Sequence, residues 1–79
     1  MRTKIMKFTV VFEKVEEGGY IVRVPSLPGC FTQGETFEEA EQMAKDAIKA
    51  YCVSLKKHKE PIPKEGSDII ESISILVPA

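Results

Sequence analysis

The stretch VPSLPGCFTQGETFEEA, residues 24–40, sets Pro25, Pro28, Gly29 and Gly34 close together and runs on into Glu35, Glu38 and Glu39. Proline has no amide to give to a ladder, and glycine reaches backbone conformations that other residues avoid. No long helix or central strand crosses such a segment. An active-site loop, a recognition surface and a pair of tight connections all fit the crowding, so the flanking residues must decide.

On the N-terminal side, residues 6–14 read MKFTVVFEK, with Phe8, Val10 and Phe12 alternating with Thr9, Val11 and Glu13. That period of two predicts a strand over Met6–Lys14. Gly18-Gly19 then marks a hairpin, and a second strand is expected from Gly19 to Val24, with Tyr20, Val22 and Val24 on one face. Pro25 ends it. Leu27-Pro28-Gly29-Cys30 has the order of a type II turn, proline second and glycine third. A short third strand over Cys30–Gly34 would close an antiparallel meander.

At Thr36-Phe37-Glu38-Glu39 the T-x-x-E pattern of a capping box predicts a helix start. Phe37, Ala40, Met43, Ala44, Ala47, Ile48, Tyr51 and Leu55 recur at steps of three and four, an apolar stripe suited to a sheet face. The acids Glu38, Glu39 and Glu41 and the bases Lys56 and Lys57 complement the helix dipole, which predicts a helix to Lys57. The run HKEPIPKEGSD breaks it. Alternation over Ile69–Val77 predicts a fourth strand, stopped by Pro78.

The expected fold is therefore α+β, one small β-β-β-α-β domain over residues 1–79. A three-stranded antiparallel meander and a fourth strand beside the first would carry one helix on one sheet face. That helix would cover Phe8, Val10, Phe12, Val22, Val24, Ile73, Ile75 and Val77. The opposite face, with Val11, Ile21, Arg23 and Leu76, together with the open sheet edges, predicts a homo-oligomer, a dimer or a tetramer. A chain of this size buries only about 60% of its unfolded surface, which favours association further.

Composition narrows the function. Eleven basic against twelve acidic residues leave a net charge of −1, with no overall field for nucleic acid or an anionic membrane. No apolar run approaches the roughly 20 residues of a membrane span, and MRTKIMKFTV lacks the pattern of a secretory signal, so a cytoplasmic protein is expected. A single histidine and no C-x-x-C spacing give no metal site, and no cofactor is expected. Cys30 and Cys52 read as small buried thiols.

The candidate acids are scattered. A two-metal nuclease would need Glu13, Asp46 and Asp68 or Glu71 to converge, whereas Glu13 has the parity opposite Phe8 and Phe12, and Asp46 has no acidic neighbour in prospect. Solvated surface charge is the better reading, and no catalytic residue is assigned. His58, inside Lys56-Lys57-His58-Lys59, reads as an exposed cation at the helix end rather than a base or a phosphate contact. Tyr20 and Tyr51 read as core aromatics.

The ordered set Tyr20, Pro25, Leu27-Pro28-Gly29-Cys30, Gly34-Glu35-Thr36, Glu38-Glu39-Ala40 and Asp46-Ala47 resembles the signature of the HicB antitoxin family. The similarity runs from about Met6 to Pro63. The resemblance implies a partial RNase H-like domain and the role of antitoxin in a type II toxin-antitoxin system. The partner it implies is a HicA-like mRNA-cleaving toxin, bound and occluded. Many members carry a further C-terminal DNA-binding segment; this chain reads as a short form, for which direct DNA binding is not expected. A metal-dependent nuclease and a small nucleic-acid-binding module are the alternatives.

On this reading the partner-binding residues are Leu27, Pro28, Phe31, Gln33, Glu35, Glu38 and Glu39, an exposed turn and an acidic helix start suited to a basic toxin. Pro25, Pro28, Gly29, Gly34 and Thr36 are assigned structural roles in turns and in the cap.

Overall fold

The computed structural model describes residues 3–64 and 71–78. Its elements are β1 (Val11–Lys14), β2 (Tyr20–Arg23), β3 (Phe31–Gly34) and α1 (Phe37–Lys57), a small α+β arrangement. The sheet is antiparallel in the order β1-β2-β3. Phe12 lies opposite Val22, and Val22 opposite Thr32, so one central residue sets the register of both pairs.

The hairpin between β1 and β2 closes through Val15 and Gly19. Val15 N–H donates to the Gly19 carbonyl at 3.0 Å, and Gly18 N–H to the Val15 carbonyl at 2.9 Å. Gly19 has φ +86°, and a Cβ there would stand 2.8 Å from the Gly34 carbonyl oxygen. Only glycine satisfies both the backbone angle and the neighbouring strand.

Between β2 and β3 two turns follow one another. Leu27 N–H donates to the Val24 carbonyl at 3.0 Å, and Cys30 N–H to the Leu27 carbonyl at 3.0 Å. Pro25 and Pro28 are the second residues of these turns, where their fixed φ is preorganised. Gly29 takes φ +79°, the value that the third position of a type II turn requires. Leu27, shared by both turns, is thereby turned inward and is 1% exposed.

Helix α1 starts on Thr36, whose Oγ1 accepts the Glu39 N–H at 3.1 Å. The Glu39 carboxylate reaches back past the cap residue and accepts the Glu35 N–H at 3.2 Å. The helix ends in a Schellman arrangement: Lys59 N–H donates to Lys56 O at 3.1 Å, and Glu60 N–H to Leu55 O at 2.8 Å. Lys59 occupies the left-handed position of that motif with φ 58°.

The helix covers the face that strand parity assigns to it. Val22, Ala40 and Ala44 form one buried cluster, joined by Val10, Phe12 and Tyr20. Val24, Leu27 and Cys30 form a second, joined by Phe8, Ala47, Ile48, Tyr51 and Cys52. Alanines at the contact bring the helix backbone close to the sheet. A Cβ on Gly34 would lie 2.6 Å from the Ala40 Cα, so β3 ends in glycine because the first turn of the helix passes over it.

Two expectations differ from the structure. The first strand, expected from Met6, joins the ladder only from Val11, although residues 5–10 keep alternating exposure, with Met6, Phe8 and Val10 half-buried and Ile5, Lys7 and Thr9 exposed. The fourth strand was expected over 69–77. Residues 69 and 70 lie outside the described residues, and residues 71–78 form no strand and are all exposed. Ile73, Ile75 and Val77 therefore do not lie under the helix as their parity suggests. Alternation specifies which side chains share a face, whereas a strand also needs a ladder partner, and among the described residues β1 pairs only with β2.

Candidate functional site

The turn, β3 and the helix start follow one another without a break, so their side chains share one corner of the molecule. Pro28 and Gly29 are exposed at the turn tip; Phe31 and Gln33 point outward from β3; Glu35, Glu38 and Glu39 are exposed around the cap. Phe31 is 66% exposed, because its position in β3 has the parity opposite the helix-covered face. Its neighbour across the ladder is Arg23, and Gln33 faces Ile21, itself 42% exposed. The outer face of β2 and β3 thus presents Phe31 and Ile21 between polar side chains. Leu27 does not join this surface. It lies in the core, where it supports the turn from beneath.

The turn is held from the helix side. Tyr51 Oη donates a 2.7 Å hydrogen bond to the Pro28 carbonyl, and the ring packs against the Val24, Leu27 and Cys30 cluster. Tyr51 thus joins the apolar stripe to the turn tip, a second role that its helical spacing did not disclose. Tyr20 is half-buried, its ring edge-on to Phe37 at 5.9 Å, and Phe12 lies 4.7 Å from the same Phe37 ring. Three aromatic rings therefore brace the helix start that carries the acids.

Both cysteines are free, Cys30 buried and Cys52 half-buried in the same cluster. Burial pushes each thiol above its ordinary pKa, and Cys52 pushes Cys30 further the same way. Neither thiol is thereby poised as a thiolate nucleophile.

The acids considered for metal chemistry stay apart. Asp46 is exposed and accepts a 3.2 Å hydrogen bond from Gln42 Nε2; Glu13 and Glu71 are exposed; Asp68 lies outside the described residues. Among the described residues no three His, Cys, Asp or Glu side chains gather in a way that could hold a metal ion. His58 has its Nδ1 at 2.8 Å from the Ser54 carbonyl, so its ring serves the helix end. No described helix is long and apolar enough to cross a membrane.

An antiparallel meander with one helix packed on one face, and an exposed acidic corner at the junction, make this a small α+β domain. The family model described as the HicB_like antitoxin of bacterial toxin-antitoxin systems matches residues 8–74, and the chain belongs to that family. It is 55% identical over 65 residues to UPF0150 protein Ta0767 of Thermoplasma acidophilum, covering 82% of this chain and 94% of that protein. It is 44% identical over 63 residues to antitoxin HicB 1 of Photorhabdus laumondii, covering 80% of this chain and 41% of that one. Over 43 residues it is 44% identical to antitoxin HicB of Escherichia coli, covering 54% of this chain and 31% of that protein.

Proposed function

We propose that this chain is the antitoxin of a type II toxin-antitoxin pair and neutralises a HicA-like mRNA-cleaving toxin by binding it and occluding its active site. The similarity to proteins named HicB antitoxin carries this reading. The contact corner is built from Pro28, Phe31, Gln33, Glu35, Glu38 and Glu39, and Leu27 contributes by fixing the turn. Phe31 supplies the apolar anchor that interfaces concentrate their energy on, and the glutamates steer a basic partner toward it. The role is stoichiometric rather than enzymatic, and it is exercised in the cytoplasm.

The test is to purify the chain with the product of its neighbouring reading frame. A stable complex, with RNA cleavage by that product suppressed on titration to one equivalent, is the expected result. Unchanged cleavage in the presence of excess folded chain rejects the proposal.

A further inference from the structure

The turn Leu27-Pro28-Gly29-Cys30 contains one peptide whose orientation its own residues leave open. Turns of types I and II both accept proline second and both close with a bond from the fourth N–H to the first carbonyl, here Cys30 N–H to the Leu27 oxygen at 3.0 Å. They differ by a flip of the central peptide, between Pro28 and Gly29, which sets the third residue at φ about +80° in type II and about −90° in type I. Glycine takes either sign almost equally well, so Gly29 permits type II without selecting it. Crowding does not select it either, because a Cβ on Gly29 would meet nothing within 4 Å. The observed φ of +79° needs a cause outside the turn.

Tyr51 supplies one. Its 2.7 Å hydrogen bond ends on the Pro28 carbonyl, the oxygen of the very peptide that flips. The donor is itself fixed, by its place in α1 and by packing of the ring on Val24, Leu27 and Cys30. A flip to type I would turn the oxygen away from the phenol. Among the described residues no peptide bond is cis, and in a trans peptide the N–H points opposite to the C=O. With the carbonyl turned to α1, the Gly29 N–H is turned away from it, to the side on which Phe31 is exposed. Gly29 is itself exposed, and among the described residues its N–H has no hydrogen-bond partner.

We infer that Tyr51 is a positioning residue of the partner-contact turn: it selects the type II form and so presents the Gly29 N–H, on the side of Phe31, as a donor to a carbonyl oxygen of the toxin. Glu35, Glu38 and Glu39 share this corner and disfavour a carboxylate as the acceptor. The partner's part in this rests on the antitoxin reading, whereas the selection of the turn form is a property of the free chain. Without the phenol the turn divides between its two forms, and apparent affinity falls with the fraction that stays competent.

The test begins with nuclear Overhauser spectra of the free chain, because the Pro28 Hα lies close to the amide proton of residue 29 in type II and far from it in type I. That contact should be strong in wild type and weak in Tyr51→Phe. It should also weaken in Gly29→Ala, which has room for its methyl but resists positive φ. Gly18→Ala, strained at the other end of β2, should leave it strong. With the toxin added, the Gly29 amide of wild type should become protected from solvent exchange. Tyr51→Phe should raise the dissociation constant about three- to tenfold with helical circular dichroism unchanged, and Gly18→Ala should bind as wild type does. A Tyr51→Phe chain that keeps the strong contact overturns the selection by Tyr51. A Gly29 amide that exchanges as fast in the complex as in the free chain overturns its role as donor. Failure of the wild-type chain to bind the toxin overturns the antitoxin reading and the donor role with it, while the free-chain contact still decides what Tyr51 does.

Discussion

Tyr51, in the fourth turn of α1, donates a 2.7 Å hydrogen bond to the carbonyl of Pro28, 23 residues earlier. The carbonyl belongs to a turn residue whose oxygen has no ladder partner, and the phenol closes it from the helix side. Tyr51→Phe keeps the ring among Val24, Leu27 and Cys30 but removes the donor. A partly solvated neutral hydrogen bond contributes about 0.5–1.5 kcal/mol, so urea denaturation should show a loss within that range at an unchanged m-value. A variant as stable as wild type would show that water replaces the phenol at no cost.

Gly34→Ala should destabilise more than its size suggests. The added methyl meets the backbone of Ala40, in the first turn of a helix pinned by Thr36, and backbone cannot rotate away as a side chain can. Overpacking of this sort costs about 1–3 kcal/mol. Thermal unfolding should register it as a clear drop in Tm. Gly18→Ala offers the contrast, because nothing lies within 4 Å of its missing Cβ and only its positive φ is strained.

The two helix ends should respond in opposite directions. Thr36→Ala removes the oxygen that accepts the Glu39 N–H and should cost about 1 kcal/mol. Lys59→Gly relieves a side chain held at φ 58° in the Schellman position and should stabilise by roughly 0.5–1 kcal/mol. Chemical denaturation of both variants beside wild type checks the pair of signs.

Stability should fall on the alkaline side through the thiols. Burial raises both Cys30 and Cys52, so between the unfolded and folded pKa values the native state holds more protons than the unfolded chain. The stabilisation is complete below about pH 8.5, the ordinary thiol value, and is lost as pH rises through the raised one. Lysine and tyrosine titrate nearby, so the informative quantity is the urea midpoint of wild type minus that of Cys52→Ser across this range. That difference should shrink with rising pH; a difference that grows with pH contradicts the sign.

Toxin binding, if it runs through the proposed corner, should separate affinity from rate. Phe31→Ala should weaken binding by about tenfold or more, mainly through faster dissociation. Glu35→Gln with Glu38→Gln should slow association at low salt and lose that effect as salt is raised. Surface plasmon resonance on the purified pair measures both, with circular dichroism confirming that each variant is folded.

Much of the architecture was legible because it is local. Val22 and Val24 share a face by parity alone, the order Pro28-Gly29 implies a positive φ at the glycine, and the T-x-x-E spacing places the cap on Thr36. Other features were hidden because they join residues far apart in sequence. Leu27 was expected at the contact rim since it sits among turn residues; two turns in succession fold it into the core instead. Glu39 bonds the Glu35 amide, one position before the cap residue, a choice that the T-x-x-E spacing does not disclose. Nothing in the spacing of Tyr51 distinguishes a core tyrosine from one that closes a distant turn.

By itself the sequence determined the alternation of β1 and β2, the glycine and proline turns, the start and stop of α1 and the membership of the family. Each of these depends on interactions within a few residues, or on a pattern of such residues kept in order. Only the tertiary structure decided that Gly34 lies beneath Ala40, that Phe31 faces outward beside acids, and that Ile73, Ile75 and Val77 are exposed rather than covered by the helix. These depend on which surfaces meet. A period of two specifies the face a side chain occupies and leaves open the chain against which that face is buried.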